Sequence, residues 1–270
     1  MVEGGYRKLS RRGFEPHPPA GARLIVPQWQ KTYEQRHLFF MHELVHLNHY
    51  LFYLERVADF PLQLLCDIHN HFWEFTYLAM FETSLQIAHR VAFDSGPKRL
   101  TLPKFCEDIR KHLISDTATA DFEAELRDFD FAEKSKYIAA KIKFIRDKRL
   151  AHLSKQILSD DPTERPYLKL VQPTELQEIV KHLNNLFQIV SLHVSCAMTF
   201  PDLVDYTQVE FGQRHPPDVV RLLDLVARNS KLLNMPEDEP QQWPFTKEHL
   251  SEHDISSLNA WRSKFDLPPA

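Results

Sequence analysis

The sequence predicts an all-α fold. Between residues 31 and 198, apolar side chains recur every three or four positions, which is the period of an amphipathic helix. Strand-like composition is confined to one short segment, Tyr167–Val171. Glycine is almost absent after the start of the chain, since four of the six glycines fall within the first 21 residues. These three observations place the chain in the all-α class.

The elements follow in chain order from the same patterns. Residues 1–29 contain glycines, four prolines and several basic residues, which predicts a flexible basic arm. The helical domain, 30–198, is expected to form helices at about residues 31–57, 63–93, 102–114, 119–155 and 174–198. In the remaining part, 199–270, six prolines separate two short helical patterns near 218–233 and 246–264. We expect this last part to be a small Pro-rich helical extension.

Composition narrows the class of protein. With 43% apolar residues the chain can bury a real core, and its formal net charge of −4 argues against a surface that attracts nucleic acid everywhere. The cysteines Cys66, Cys106 and Cys196 are odd in number and widely spaced, so no disulfide framework is expected. The sequence has no apolar run long enough to span a bilayer and no signal-peptide pattern at its start. We therefore expect a cytoplasmic protein with no membrane partner.

A break in the helical pattern is the strongest clue to function. A helix turns about 100° per residue, so Ile138, Ile142 and Ile145 lie within about 60° of one another and predict a buried stripe. The next positions on this face are Arg149 and His152, with a further arginine, residue 146, at its edge. Either the helix leaves the core there and the charges meet water, or the face opens into a cleft that requires cations and an imidazole.

The same region is locally basic. Two acidic residues, Glu133 and Asp147, stand among eight basic residues between positions 133 and 155. The basic residues are Lys134, Lys136, Lys141, Lys143, Arg146, Lys148, Arg149 and Lys155. Such a segment on a mildly acidic protein is either a solvated helix face or a phosphate-binding patch, and the nearby His152 favours the patch.

A second motif suggests a different chemistry. His42, Glu43 and His46 match the HExxH pattern, in which two histidines one helical turn apart bind zinc and the glutamate acts as a base. His49 falls on the same face. However, the chain has 15 histidines, which makes a chance match plausible, and no sheet precedes this helix to hold a peptide substrate. A zinc hydrolase is therefore kept only as a less favoured alternative to a helix with histidines at its margin.

The residues around the break resemble a known superfamily. Arg146, five intervening residues and His152 are similar to the Arg-(four to six residues)-His signature of the HEPN superfamily, in which a polar residue such as Asp147 often follows the arginine. The stretches 71–75, 88–95 and 100–105 resemble the second helix and following turn of the abortive-infection, AbiU2-like branch. The resemblance covers roughly residues 30–198.

This resemblance implies a four- to five-helix HEPN-like bundle that dimerises and brings two motif helices together at a shared cleft. His152 would then move protons, Arg146 would hold the phosphoryl group, and Asp147 would orient the arginine. Lys148 and Arg149 would bind neighbouring phosphates. Lys155 would also contact RNA phosphate; it stands where many toxin members have a tyrosine that a partner enzyme modifies.

The resemblance thus implies a metal-independent endoribonuclease without a cofactor, in antiviral defence or toxin–antitoxin biology. The expected partners are RNA, a second copy in a homodimer or a higher even-numbered homo-oligomer, and a regulatory protein. A HEPN-like subunit that binds RNA, senses infection or assembles a defence complex without catalysis is the main alternative. A zinc hydrolase that uses His42, Glu43 and His46 is the other.

Overall fold

The computed structural model of the protein describes residues 24–61, 72–94, 99–145, 171–195, 208–210, 213–215, 218–228 and 252–269. Within these residues eight α-helices account for most of the structure, which confirms the all-α class. The helices are α1 (Gln30–Asp59), α2 (Phe72–Ala92), α3 (Leu102–Arg110), α4 (Asp116–Phe129), α5 (Phe131–Ile145), α6 (Pro173–Ser195), α7 (Asp218–Arg228) and α8 (Glu252–Ser263). One 3₁₀ turn, Pro27–Trp29, precedes α1.

A short antiparallel ribbon, which the sequence patterns do not predict, interrupts the helices. Strand β1 (Gln208–Glu210) pairs with β2 (Gln213–His215), with Gln208 opposite His215. Of the segment that does have strand-like composition, only Val171 belongs to the described residues, and it lies in a bend.

The prediction of one continuous helix over 119–155 is wrong in one respect, because one helix ends before Asp130 and another begins after it. This residue adopts a left-handed conformation, with φ 45° and ψ 62°, and its N–H donates to the carbonyl of Leu126 to close α4. Its carboxylate accepts a hydrogen bond from the N–H of Glu133 at 3.2 Å and so caps α5. Aspartate tolerates the left-handed region better than most residues and is a good N-cap, so one side chain ends a helix and begins the next. A periodic apolar pattern does not reveal such a break.

The chain divides into two compact units. The first consists of Met1–Val45 with Ala88–Asp202, and the second of His46–Ile87 with Leu203–Ala270. In the first unit α6 is central and packs against α3, α4 and α5. Its apolar face is buried, with Leu176, Ile179, Val180, Leu183, Leu186, Phe187, Val190 and Val194 directed into the core. The predicted domain limits near residues 29 and 198 stay predictions.

The second unit has its own apolar core and a buried ion pair. Its core residues are Val57, Phe60, Trp73, Val219, Val220, Leu223, Leu258 and Trp261. Beside them, Arg262 and Asp224 form an ion pair at 3.0 Å, with side chains 1% and 2% exposed. The Nε of Arg262 also donates to the carbonyl of Pro268 at 2.5 Å. The arginine therefore ties α8, α7 and the residues that follow α8 to one another.

None of the helices in the described part of the chain combines the length and apolar character needed to cross a membrane. Cys106 is a free, buried thiol on α3, and burial raises its pKa above the ordinary value. The thiol is therefore kept in its protonated, poorly reactive form.

Candidate functional site

The described residues lead to the predicted site but end at its edge. Helix α5 is described up to Ile145, and the next residue in the sequence is Arg146. The other predicted site residues, Asp147, Lys148, Arg149, His152 and Lys155, lie with Arg146 outside the described residues. The structure therefore describes the helix that precedes the motif, α5, and the contacts that hold this helix in place.

The inner face of α5 is anchored in the core of the first unit. Ile138, Ile142 and Ile145 are all buried, which confirms the predicted stripe. Ser135 is buried on the same face, and its hydroxyl donates to the carbonyl of Phe131 at 2.7 Å. Because Ile145 is still buried, the helix remains packed up to the residue that precedes the motif.

A polar clamp adds to this apolar anchor. The Nζ of Lys141 on α5 lies 2.5 Å from a carboxylate oxygen of Glu175 on α6, and the two side chains are only 16% and 17% exposed. The other carboxylate oxygen of Glu175 accepts a hydrogen bond from the N–H of Gln172 at 2.8 Å. Glu175 thus caps the N-terminus of α6 and holds the C-terminal half of α5 at the same time. The clamp joins the last turns of described chain before the motif to the first turn after it.

The clamp shifts the titration of both partners. The hydrogen bond to Glu175 is the main reason that the pKa of Lys141 is raised. Burial by itself would raise the pKa of Glu175, but hydrogen bonds from Lys141 and from the Gln172 N–H outweigh burial and lower it. Both residues therefore stay charged at neutral pH.

The outer face of α5 carries exposed aromatic rings among basic residues. Tyr137 is 68% exposed and Phe144 is 40% exposed, whereas rings of this size are usually covered. Lys143, beside Phe144, is exposed and has no ion-pair partner within the described residues. Lys141 lies over the ring of Tyr137, with its Nζ 4.2 Å from the ring centroid. The outer face of α5 thus combines exposed aromatic rings with positive charge.

The HExxH residues lie on α1, where the glutamate already has a cationic partner. Glu43 is largely buried and forms an ion pair with Arg90 of α2. His42 and His46 are exposed. Burial and repulsion from His46 lower the pKa of His49. Within the described ranges no group of three or more His, Cys, Asp or Glu side chains is placed to hold a metal ion. The ion pair with Arg90 leaves the Glu43 carboxylate engaged with a cation rather than free to meet a metal-bound water.

A half-buried histidine and a buried serine form a second polar contact in the first unit. The Nε2 of His37 on α1 lies 3.1 Å from the hydroxyl of Ser191 on α6, and Ser191 is fully buried. Tyr33 and Phe187 flank the imidazole, with ring centroids at 5.6 and 4.7 Å. Burial lowers the pKa of His37 to about 4. The imidazole is therefore neutral at physiological pH, and the serine hydroxyl is closed off from any substrate.

Sequence reasoning overlooked the clamp and the outer aromatic face. Lys141 and Glu175 are 34 residues apart, so no local pattern reports their contact. The outer face did have a signal: Tyr137 and Phe144 are seven residues apart, and seven residues bring two side chains back to the same side of a helix. Both positions lie outside the isoleucine stripe, roughly 110–130° from its centre around the helix axis, and lysines flank them in the sequence.

The helical bundle and the Arg-Xaa₅-His sequence that follows the anchored end of α5 define a protein of the HEPN class. The family model HEPN_AbiU2, described as AbiU2, matches residues 30–208, and the chain belongs to this family. The predicted superfamily and its abortive-infection branch are thereby confirmed. No curated protein and no solved structure matches the chain.

Proposed function

We propose that the protein is a metal-independent endoribonuclease that acts in antiviral defence or toxin–antitoxin biology in the cytoplasm. The proposal depends on one observation: Arg146 and His152 fall inside the matched range 30–208, and Arg146 directly follows a helix that is packed up to Ile145. A firmly held helix is what a catalytic motif requires, since small misplacements of reacting groups are costly.

The chemistry follows from the residue types. A neutral His152 takes the proton from a ribose 2′-hydroxyl, whose oxygen then attacks the adjacent phosphorus. The new O2′–P bond forms as the P–O5′ bond breaks, and the leaving 5′-oxygen receives a proton. The products are a 2′,3′-cyclic phosphate and a 5′-hydroxyl end. No oxidant, reductant or metal ion is needed for the balance.

Charge at the phosphorus requires fixed cations. Arg146 donates two N–H groups to the phosphoryl oxygens and stabilises the negative charge that grows in the transition state. Asp147 orients this guanidinium. Lys148, Arg149 and Lys155 bind the flanking phosphates, which increases affinity without selecting a base.

Two copies of the chain complete the site. The reaction needs a base for the 2′-hydroxyl and an acid for the leaving oxygen, and each chain supplies one motif histidine. In a homodimer that brings two motifs together, one copy of His152 accepts the proton while the other donates one. With this pairing, one motif histidine per chain is enough to supply both the base and the acid of the reaction.

Cleavage of a generic RNA in the presence of EDTA tests the proposal. We expect products with cyclic-phosphate ends, and a loss of at least about 100-fold in rate for His152→Ala and for Arg146→Ala, with the oligomeric mass unchanged. Matched controls are His253→Ala and Arg110→Ala, which remove an exposed histidine and an exposed arginine elsewhere on the protein.

Two results would contradict the proposal in different ways. Activity that disappears in EDTA, returns with zinc and is lost in Glu43→Gln would identify the HExxH residues as the site. RNA that stays intact under all conditions, including in extracts of infected cells, while the protein still binds it, would indicate a non-catalytic sensor or assembly subunit.

A further inference from the structure

The exposed rings on the outer face of α5 suit this face to ligand binding, in addition to the role of the helix in holding the motif. We propose that Tyr137 and Phe144 form a platform on which unpaired bases of single-stranded RNA stack, with Lys143 on the adjacent exposed side of α5 available to the phosphate backbone. This inference rests on the proposed ribonuclease function and assigns its substrate a strandedness. It concerns residues of α5 that lie before the catalytic motif.

The geometry of the helix brings the two rings into line. Seven residues separate them, so they differ by about 20° around the axis and by roughly 10 Å along it. Both rings lie roughly 110–130° around the helix axis from the centre of the buried isoleucine stripe, and neither is buried in the core. Each ring can therefore receive one base, on the side of the helix that faces water.

Tyr137 is held in place although it is exposed. The Nζ of Lys141 lies over its ring, 4.2 Å from the ring centroid. Lys141 is in turn held by Glu175, which caps α6. An exposed ring that is already ordered loses less conformational entropy when a ligand binds. The contacts thus form a chain from the helix cap to the ring, and they leave the ring 68% exposed.

Charge favours RNA over a second copy of the chain as the occupant. Helix α5 carries four lysines and one glutamate among its 15 residues. In a two-fold contact through this face, the lysines of one copy would meet those of the other, which is unfavourable. A polyanion instead neutralises them and releases counterions. Aromatic rings together with such a cationic helix are the usual components of a surface that binds single strands.

Binding to the intact protein tests the platform without cleavage. The probe is a fluorescent 2′-O-methyl-uridine 12-mer, which cannot undergo attack by the 2′-oxygen, and the reference is a 12-base-pair 2′-O-methyl duplex. Tyr137→Ala and Phe144→Ala should each weaken binding of the single strand by about 5- to 100-fold. Binding of the duplex should not change, because its bases are already stacked.

Two further variants separate stacking from other effects. Tyr137→Phe keeps the ring and should retain most of the single-strand affinity. Phe75→Ala removes a ring that is 73% exposed on α2 and should change neither affinity. Thermal unfolding of each variant checks that the fold is intact, and light scattering gives the oligomeric mass.

Several outcomes would overturn the platform. Unchanged single-strand affinity in Tyr137→Ala and Phe144→Ala, or an equal loss for the duplex, would exclude stacking. A fall in oligomeric mass with the same variants would identify the face as a protein interface instead. If the single strand binds through Tyr137 but natural RNA is never cut, the ribonuclease proposal fails and the platform stands. If cleavage depends on His152 but Tyr137→Ala and Phe144→Ala have no effect, the platform proposal fails and the ribonuclease proposal stands.

Discussion

The two units differ in how completely their charged side chains are removed from water. In the second unit Arg262 and Asp224 are almost completely withdrawn from water. In the first unit the half-buried His37 is neutral beside the buried Ser191. The charged pair Lys141–Glu175 of that unit keeps some contact with water. Removing one partner of a fully buried ion pair leaves an unpaired buried charge and strongly destabilises the fold. A partly hydrated pair contributes less to stability and can serve mainly to position a helix.

The largest effect should follow from breaking the desolvated pair of the second unit. Arg262→Ala leaves Asp224 buried without its cation and removes the bond to the Pro268 carbonyl. We expect the free energy of unfolding to fall by about 3–5 kcal/mol, measured by urea denaturation. The control is Arg221→Ala on α7, whose partner Asp218 is exposed, and which should cost less than about 1 kcal/mol. Similar losses for the two variants would remove the distinction between the units.

The next effect concerns the neutral pair of the first unit and depends on pH. Because the pKa of His37 is about 4 in the folded protein and 6.5 in the unfolded chain, folding favours the neutral imidazole. Above pH 6.5 the imidazole is neutral in both states, so it does not make stability depend on pH. Between pH 6.5 and 4 the unfolded chain binds a proton that the folded protein does not, and this favours unfolding. The free energy of unfolding should therefore decrease by about 3 kcal/mol over that range. His37→Gln should flatten the decrease, whereas His253→Gln, at an exposed site, should not. An unchanged slope in His37→Gln would show that other groups cause the decrease.

The smallest effect on stability should come from the partly hydrated pair, although its effect on activity should be clear. Lys141→Met breaks the contact with Glu175 and loosens the end of α5. The unfolding midpoint should fall less than in Arg262→Ala, while RNA cleavage should fall about 10-fold because the motif follows this helix. Arg110→Met, which breaks an exposed pair with Glu123, should leave both unchanged. A loss of stability in Lys141→Met as large as in Arg262→Ala, with normal cleavage in the protein that remains folded, would contradict a positioning role.

Much of the helical layout could be predicted from the sequence. The apolar period predicts helices over 31–57 and 174–198, and the structure has Gln30–Asp59 and Pro173–Ser195. The isoleucine stripe is buried as its spacing predicts. Local rules succeed here because helical geometry alone decides which residues share a face. The Arg146–His152 motif also identified the superfamily, since it is a pattern of nearby residues.

Other features depend on contacts that a linear pattern does not contain. The break at Asp130 follows from one left-handed residue whose neighbours look helical on either side. His37 and Ser191 are 154 residues apart, and the low pKa of the histidine arises from desolvation of its ring in the folded protein. The ion pair of Arg262 with Asp224 likewise joins two helices separated by a long stretch of chain.

The sequence by itself determined the all-α class, the AbiU2 family and the residues of the proposed site, because helical period and short motifs are local properties. Only the tertiary structure decided which lysine meets Glu175, which histidine is neutral and which rings of α5 stay in water. These properties depend on burial and on partners from distant helices, and burial is a result of packing. The buried stripe of α5 therefore follows from its sequence, whereas the exposure of the rings on its outer face depends on the folded chain.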